Sequence, residues 1–438
     1  MKNTTKSAFL GLLLLMVTVV TLSSCGSFVC NPISGSGTGT GSSVIPGPVN
    51  HGGNGTTPAV SHPLLSPATT TTPATCSSTG TGTGTCSSTD TPTQVMYSAS
   101  STGAIVAYGV DSPATLTLIC PTATAALGEM VVSNNKFLYV LDEATTPPSI
   151  LGFIIGHGNT GTVTPNALQP FTFGAVGEVL DNLTNIEADP SGHLLFVTNF
   201  TEGKIHVFLI NQGAGTLTEA ANSPFLTVSD PAFLAVSSNG LFAYVTDPDN
   251  AQIHVFNLNS TTGAMAETTD SPFVDDGGLA QPGQFIAIHP NGNFLYTADS
   301  TQISAYTVNT TSGDLGAVPG SPFDAPPSMI PNTFAFDSTG VFLYAIDFND
   351  PGVGIAGFTI DNTGTGALTG QVPGSPFALS ITESIVSDPL GGAVYVLGGT
   401  TTGGLINIFT ITAGTGALTP PTSATLTASA NLVISNVQ

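Results

Sequence analysis

The sequence predicts an all-β chain whose folded part is a seven-bladed β-propeller with four-stranded antiparallel blades. Three observations predict it. Short runs of Val, Ile, Phe, Tyr and Thr are cut by Gly, Pro, Asn and Asp, and no stretch carries the 3.6-residue apolar period of a long helix. The tripeptide Ser-Pro-Phe recurs at 223–225, 271–273, 321–323 and 375–377, with Leu168 to Phe171 as a degenerate copy one period earlier. Aromatic-centred apolar strands recur around Tyr97, Tyr139, Phe196, Tyr244, Tyr296, Tyr344 and Tyr395, and a Gly-Thr-Gly-Ala-Leu-Thr turn stands at 364–369 and 414–419. Looser copies of that turn fall at 213–218, 261–266 and 311–316. Units of about 50 residues holding four short strands are what propeller blades look like in sequence.

Taken in order, residues 1–24 read as an export signal. Lys2 and Lys6 supply the positive start, and Phe9 to Leu22 is almost wholly apolar. That run is short of the ~20 residues a membrane span needs, which disfavours a transmembrane anchor. The ending Leu22-Ser23-Ser24-Cys25 resembles the lipobox of bacterial lipoproteins, which implies cleavage before Cys25 and lipidation of its thiol. The expected address is an exported, membrane-anchored bacterial lipoprotein, in the outer membrane and periplasm or at the cell surface. Residues 25–93 are dominated by Gly, Ser, Thr and Pro. They cannot bury a core and predict a disordered tether with a reach on the order of 45 Å. Cys30, Cys76, Cys86 and Cys120 allow three disulfide pairings in an oxidising compartment.

Residues 94–438 form the predicted propeller. Complete units cover 127–171, 184–226, 232–273, 284–323, 332–377 and 383–427, which makes six. In the unit 284–323, strand A is Gln284 to Ile288, B is Asn293 to Ala298, C is Gln302 to Val308, and D ends at Pro322-Phe323. Left over are Gln94 to Cys120, reading as strands B, C and D, and Asn431 to Val437, reading as a lone strand A. Together they make a seventh blade that closes the ring and hides its edges.

Charge narrows the function classes. Lys and Arg total 4 against 27 acids, for a net charge of −23, and the four are Lys2, Lys6, Lys136 and Lys204. A chain so poor in cations cannot neutralise nucleic-acid phosphates, so no nucleic-acid partner is expected. The membrane is expected as a partner only through the lipid anchor, and the propeller is expected to be a monomer. A protein, carbohydrate or small-molecule ligand remains open; the lack of Trp weakens carbohydrate adhesion without removing it.

The pattern His-Pro-Asn-Gly-Asn-Phe-Leu-Tyr at 289–296, Ile-Ser-Ala-Tyr at 303–306, then Thr-Ser-Gly-Asp-Leu and Ser-Pro-Phe, resembles the seven-bladed propeller lactonase family. That family includes 6-phosphogluconolactonase-like and carboxymuconate-cyclase-like proteins; the chain also resembles surface propellers with tyrosine-valine-threonine-asparagine repeats. The resemblance covers about 94–438 and implies lactone hydrolysis with Arg and His doing the chemistry, yet the sequence holds no Arg.

The loops sort onto two faces. The B–C and D–A loops share the face where propellers place their sites, the mouth; the A–B and C–D turns lie on the other. His193 and His289 fall in A–B turns and His157 in a C–D turn, away from the mouth. His206 and His254 occupy equivalent C-strand positions, filled by Ser304, Ala356 and Asn407 in other blades; inter-blade packing and a paired ligand role both account for them. Lys204, two residues from Glu202, is the one mouth cation and a candidate substrate anchor. Carboxylates crowd the mouth. Asp247, Asp249, Asp275, Asp276, Asp299, Asp347 and Asp350 offer the oxygens Ca²⁺ prefers, so Ca²⁺ is the one cofactor the sequence suggests. Two functions follow as expectations: a binding or scaffold propeller with an acidic, Ca²⁺-binding mouth, or a lactone hydrolase using carboxylates, Lys204 or a metal in place of arginine.

Overall fold

In the computed structural model, the described residues run from 94 to 436, apart from 101–103, 111–115, 124–127, 143–144, 146, 157–162, 167, 175–177, 179, 181–182, 227–229, 275–284, 299–300, 348–352, 380–381, 401–402 and 426–428. The expected signal, Cys25, the tether, and Cys30, Cys76 and Cys86 lie outside them. The described residues contain strands and turns and no helix, arranged as seven antiparallel sheets.

Six sheets are built from consecutive strands. Their A strands are Met130–Ser133, Leu183–Ala188, Leu234–Val236, Phe285–Ile288, Pro331–Phe336 and Ser384–Ser387, here blades one to six. The seventh sheet pairs Ser429–Asn436 with Gln94–Ser100, which continues to Ala104–Val110 and Leu116–Ala123. The register runs from Gln94 opposite Asn436 to Ala99 opposite Asn431. The A strands touch one another in succession, and Ser429–Asn436 lies between those of blades six and one. The ring therefore closes through both ends of the folded segment, as the leftover strands predict.

The core is distributed rather than central. Seven apolar clusters are present, and each joins residues of two adjacent blades. The repeated aromatic of strand B explains itself here. Tyr139, Tyr296 and Tyr344 are fully buried, and their hydroxyls donate to the carbonyls of Gly215, Gly366 and Gly416 in the C–D turn of the following blade, at 2.9, 2.7 and 2.7 Å. Those glycines adopt φ of +66°, +78° and +70°. A Cβ on each would come within 2.4 Å of Phe137, Phe294 and Phe342 respectively, the first residue of strand B in the preceding blade. The turn glycine is thus the contact point between blades, where positive φ and close approach both demand it.

Strand D differs from its expected form. In blade four it is two short pieces, Leu315–Ala317 and Phe323–Asp324, which pair with opposite ends of Gln302–Val308. Between them lies Ser321-Pro322, joined by a cis peptide bond, as are the equivalent bonds at 169–170, 223–224, 271–272 and 375–376. Where the strand leaves the ladder, the serine replaces it. Ser321 Oγ accepts the Ala305 N–H at 2.9 Å, and Ser223, Ser271 and Ser375 do the same for Val207, Val255 and Gly357. The Ser-Pro-Phe motif is a corner whose serine satisfies a backbone donor that the break would orphan.

Candidate functional site

The mouth is best described in blade two. Strand C there starts at Lys204 and reaches Ile210, so the B–C turn delivers Lys204 to the rim. Its Nζ lies 3.1 Å from Glu178 Oε1 and 3.3 Å from Glu202 Oε2. Glu178 comes from the D–A loop that leads into this blade, and its side chain is 1% exposed. Partial burial opposes the charge on Lys204, but bonding to these two carboxylates outweighs it and holds the pKa above its ordinary value.

The same Glu178 oxygen lies 3.2 Å from His206 Nε2, and His206 Nδ1 lies 3.0 Å from Glu219 Oε1. Ser223, from the cis-proline corner, donates to that Glu219 oxygen at 2.9 Å. The hydrogen bond with His206 is the main reason the Glu219 carboxyl is held below its usual range. A polar chain therefore runs Lys204–Glu178–His206–Glu219–Ser223 from the rim to the outer strand of the blade. His206 is fully buried, with Phe173 of the preceding blade edge-on at 4.9 Å.

Blade three repeats the arrangement with a different acid. His254 Nε2 is 3.5 Å from Asp247 Oδ2, and its Nδ1 is 2.8 Å from Glu267 Oε1, to which Ser271 donates at 2.7 Å. Burial works against a charged His254, yet Asp247 and Glu267 together hold its pKa above the ordinary value. Burial likewise pushes Asp247 up, but bonds from His254 and Asn250 hold it below the usual range. The third blade of this series breaks it: Ser304 and Ala317 stand where blade three has His254 and Glu267. Inter-blade packing is therefore only half the account of the two histidines. Each also ties a rim carboxylate to a carboxylate on strand D.

Among the expected cation ligands, Asp275, Asp276, Asp299 and Asp350 lie outside the described residues. Asp247 is committed to His254 and Asn250, whose Nδ2 donates at 3.0 Å. Asp249 is exposed in the following turn. Asp347 is buried at the end of strand B in blade five, where its carbonyl accepts a hydrogen bond from Thr382. Among the described residues, no group of three or more His, Cys, Asp or Glu is arranged to hold a metal ion. On the other face, His289 is buried and its Nε2 lies 2.7 Å from the Gly340 carbonyl of the next blade, which makes it a structural residue.

Sequence reasoning missed a second feature, in the central channel. A cavity of about 300 Å³ runs along the A strands of blades two to four, lined among others by Asn185, Glu187, Phe233, Phe285 and Ser238. Glu187 faces Glu129 of the preceding blade, and burial first, then that neighbouring charge, pushes its carboxyl up to about 8. Glu129 accepts hydrogen bonds from Asn185 Nδ2 at 3.4 Å and the Ile186 N–H at 3.3 Å. Glu129 immediately precedes the A strand of blade one and Glu187 lies on that of blade two, and the packing of these two adjacent blades brings them together.

Comparisons with known proteins agree with this architecture. Residues 182–373 match the model of a family described as lactonase, 7-bladed beta-propeller. Among solved structures, the chain is similar to a candidate 6-phosphogluconolactonase of Bacteroides fragilis, with 20% identity and a TM-score of 0.61 over 80% of this chain and 99% of that one. It is similar to the periplasmic gluconolactonase of Pseudomonas aeruginosa, with 15% identity and a TM-score of 0.61 over 79% and 99%. A second candidate 6-phosphogluconolactonase, from Bacteroides uniformis, gives 17% identity and a TM-score of 0.61 over 78% and 99%. At these identities the structural likeness speaks for the fold alone. No curated protein matches the chain. The match over residues 182–373, together with seven sheets closed by both ends of the folded segment, supports the lactonase-family reading of this seven-bladed propeller.

Proposed function

We propose that the chain is an exported, lipid-anchored binding propeller of this family, whose acidic mouth accepts cations, Ca²⁺ among them, and refuses phosphorylated anions. One observation carries this reading: the mouth lysine, Lys204, is already held by Glu178 and Glu202. A phosphate arriving there would have to displace two carboxylates from one ammonium, at a site whose nearest further groups, His206 and Glu219, are also bonded to each other. A chain of net charge −23 favours cations over the whole mouth as well. Anchoring at Cys25 and export are supported by the sequence of the first 25 residues. The test is calorimetric titration of the protein with Ca²⁺ and, separately, with 6-phosphogluconate. The reading expects Ca²⁺ binding in the range of about 10⁻⁴ to 10⁻³ M that extracellular modules show, weakened by Asp249→Asn, and no 6-phosphogluconate binding. Tight binding of the phosphorylated anion with none of Ca²⁺ would overturn it.

A lactone hydrolase is the second reading. It is favoured by the family match and by the Glu178–His206–Glu219 chain, in which carboxylates hold an imidazole close to a lysine. Turnover of gluconolactones that falls in His206→Gln and Lys204→Met would select it.

A further inference from the structure

We propose that the channel cavity of blades two to four binds a small organic monocation, an amine or quaternary ammonium, between the Glu187 carboxyl and the rings of Phe233 and Phe285. This site is separate from the mouth and does not depend on the reading given above. Its volume of about 300 Å³ is at the small end of ligand sites. Three of its properties select the ligand class.

The first is charge. The Glu187 side chain makes no hydrogen bond among the described residues and borders the cavity, while Glu129 is fixed against Asn185 and the Ile186 N–H. A second carboxyl so close repels an anion and leaves Glu187 to be neutralised by a proton or by a ligand cation. The second is the wall. Leu234, Ala235, Val236, Ile286, Ala287 and Ile288 present it largely as carbon. A divalent ion asks for six to eight oxygens, which this surface does not offer; an alkylammonium asks for an acid and apolar contact. The third is the aromatic pair. Phe233 and Phe285 both line the cavity with ring centroids 5.6 Å apart, edge to face, and ring faces attract quaternary ammonium groups.

Proton exchange follows from the same geometry. Glu129 faces Glu187 from blade one, the blade three and blade four strands contribute carbon, and His289 at the turn end is bonded to Gly340. With its carboxyl pushed up to about 8, Glu187 holds a proton at neutral pH. A cation entering the cavity replaces that proton, so binding releases up to one proton per ligand below pH 8 and fewer above it.

The experiment is calorimetry of the full chain with choline and with its uncharged isostere 3,3-dimethylbutan-1-ol, at neutral pH in two buffers of different ionisation enthalpy. The expected result is choline binding about tenfold tighter than the alcohol, the equivalent of about 1.4 kcal/mol, with net proton release. Glu187→Gln should bind both alike and release no proton. Phe285→Leu should weaken choline while keeping the proton release, which preserves the test if the Gln variant fails to fold. No choline binding at millimolar concentration, equal binding of the two probes, or binding without proton release would overturn the proposal. Ca²⁺ titration of the mouth leaves Glu187 untouched, so failure at either site is distinguishable from failure at the other.

Discussion

Gly366→Ala tests how the blades are locked. The residue has φ of +78°, and an added Cβ would lie 2.4 Å from Phe294 Cδ1 and 2.6 Å from Cε1. The backbone alone costs an alanine about 1 kcal/mol in this left-handed conformation. Pushing the Phe294 ring aside adds about 1–3 kcal/mol of overpacking strain, for a total of about 2–4 kcal/mol. Gly414→Ala is the control. Its φ is +77°, yet nothing lies within 4 Å of its Cβ position, so it should lose only the backbone share of about 1 kcal/mol. Urea unfolding followed by far-ultraviolet circular dichroism reads both as shifts in midpoint at constant slope. Adding Phe294→Leu to Gly366→Ala should recover part of the loss, because the two residues are in contact. Equal destabilisation by the Gly366 and Gly414 substitutions would refute the wedge and leave only a turn preference.

Two further outcomes follow from the polar network and the corner. Raised in the folded state by its carboxylates, His254 contributes stability that is present below its unfolded pKa of about 6.5 and lost as pH rises through its folded value; Asp247, held low, contributes stability lost as pH falls through its own folded value. His254→Gln should therefore lower the thermal midpoint most between those two limits and least once pH has risen past the folded value of His254, and a pH-independent loss would contradict the ion-pair account. Ser321→Ala removes the acceptor of the Ala305 N–H and should cost about 1–3 kcal/mol as an orphaned buried donor, whereas Ser321→Thr should keep most of it; unchanged urea midpoints would sink the corner assignment.

How far the sequence reached differs between the fold and the sites. The strands recur with motifs whose chemistry is local, such as the turn glycines, and a blade count follows from them. Ring closure was legible because Gln94 to Cys120 lacks a strand A and Asn431 to Val437 supplies one. The split of strand D was not legible. Ser-Pro-Phe marks a corner, but the role of its serine depends on an N–H of strand C that only pairing brings near. The mouth illustrates the same limit. Lys204 and Glu202 are close in sequence, and their pairing could be read, but Glu178 reaches both Lys204 and His206 from the D–A loop that precedes the blade. The acids Glu129 and Glu187 carry no motif at all. Their meeting is a property of how blades one and two pack, not of either segment alone.

The central claim, that the lactonase-family propeller carries a mouth for binding cations and not for opening lactones, is tested most directly by turnover. The protein is incubated with a panel of gluconolactones and acyl lactones in saturating Ca²⁺, and ring opening is followed by proton release. The account predicts rates equal to the uncatalysed background for every lactone. Catalysed opening that disappears on Lys204→Met or His206→Gln would contradict it and make the Lys204–Glu178–His206 chain an active site.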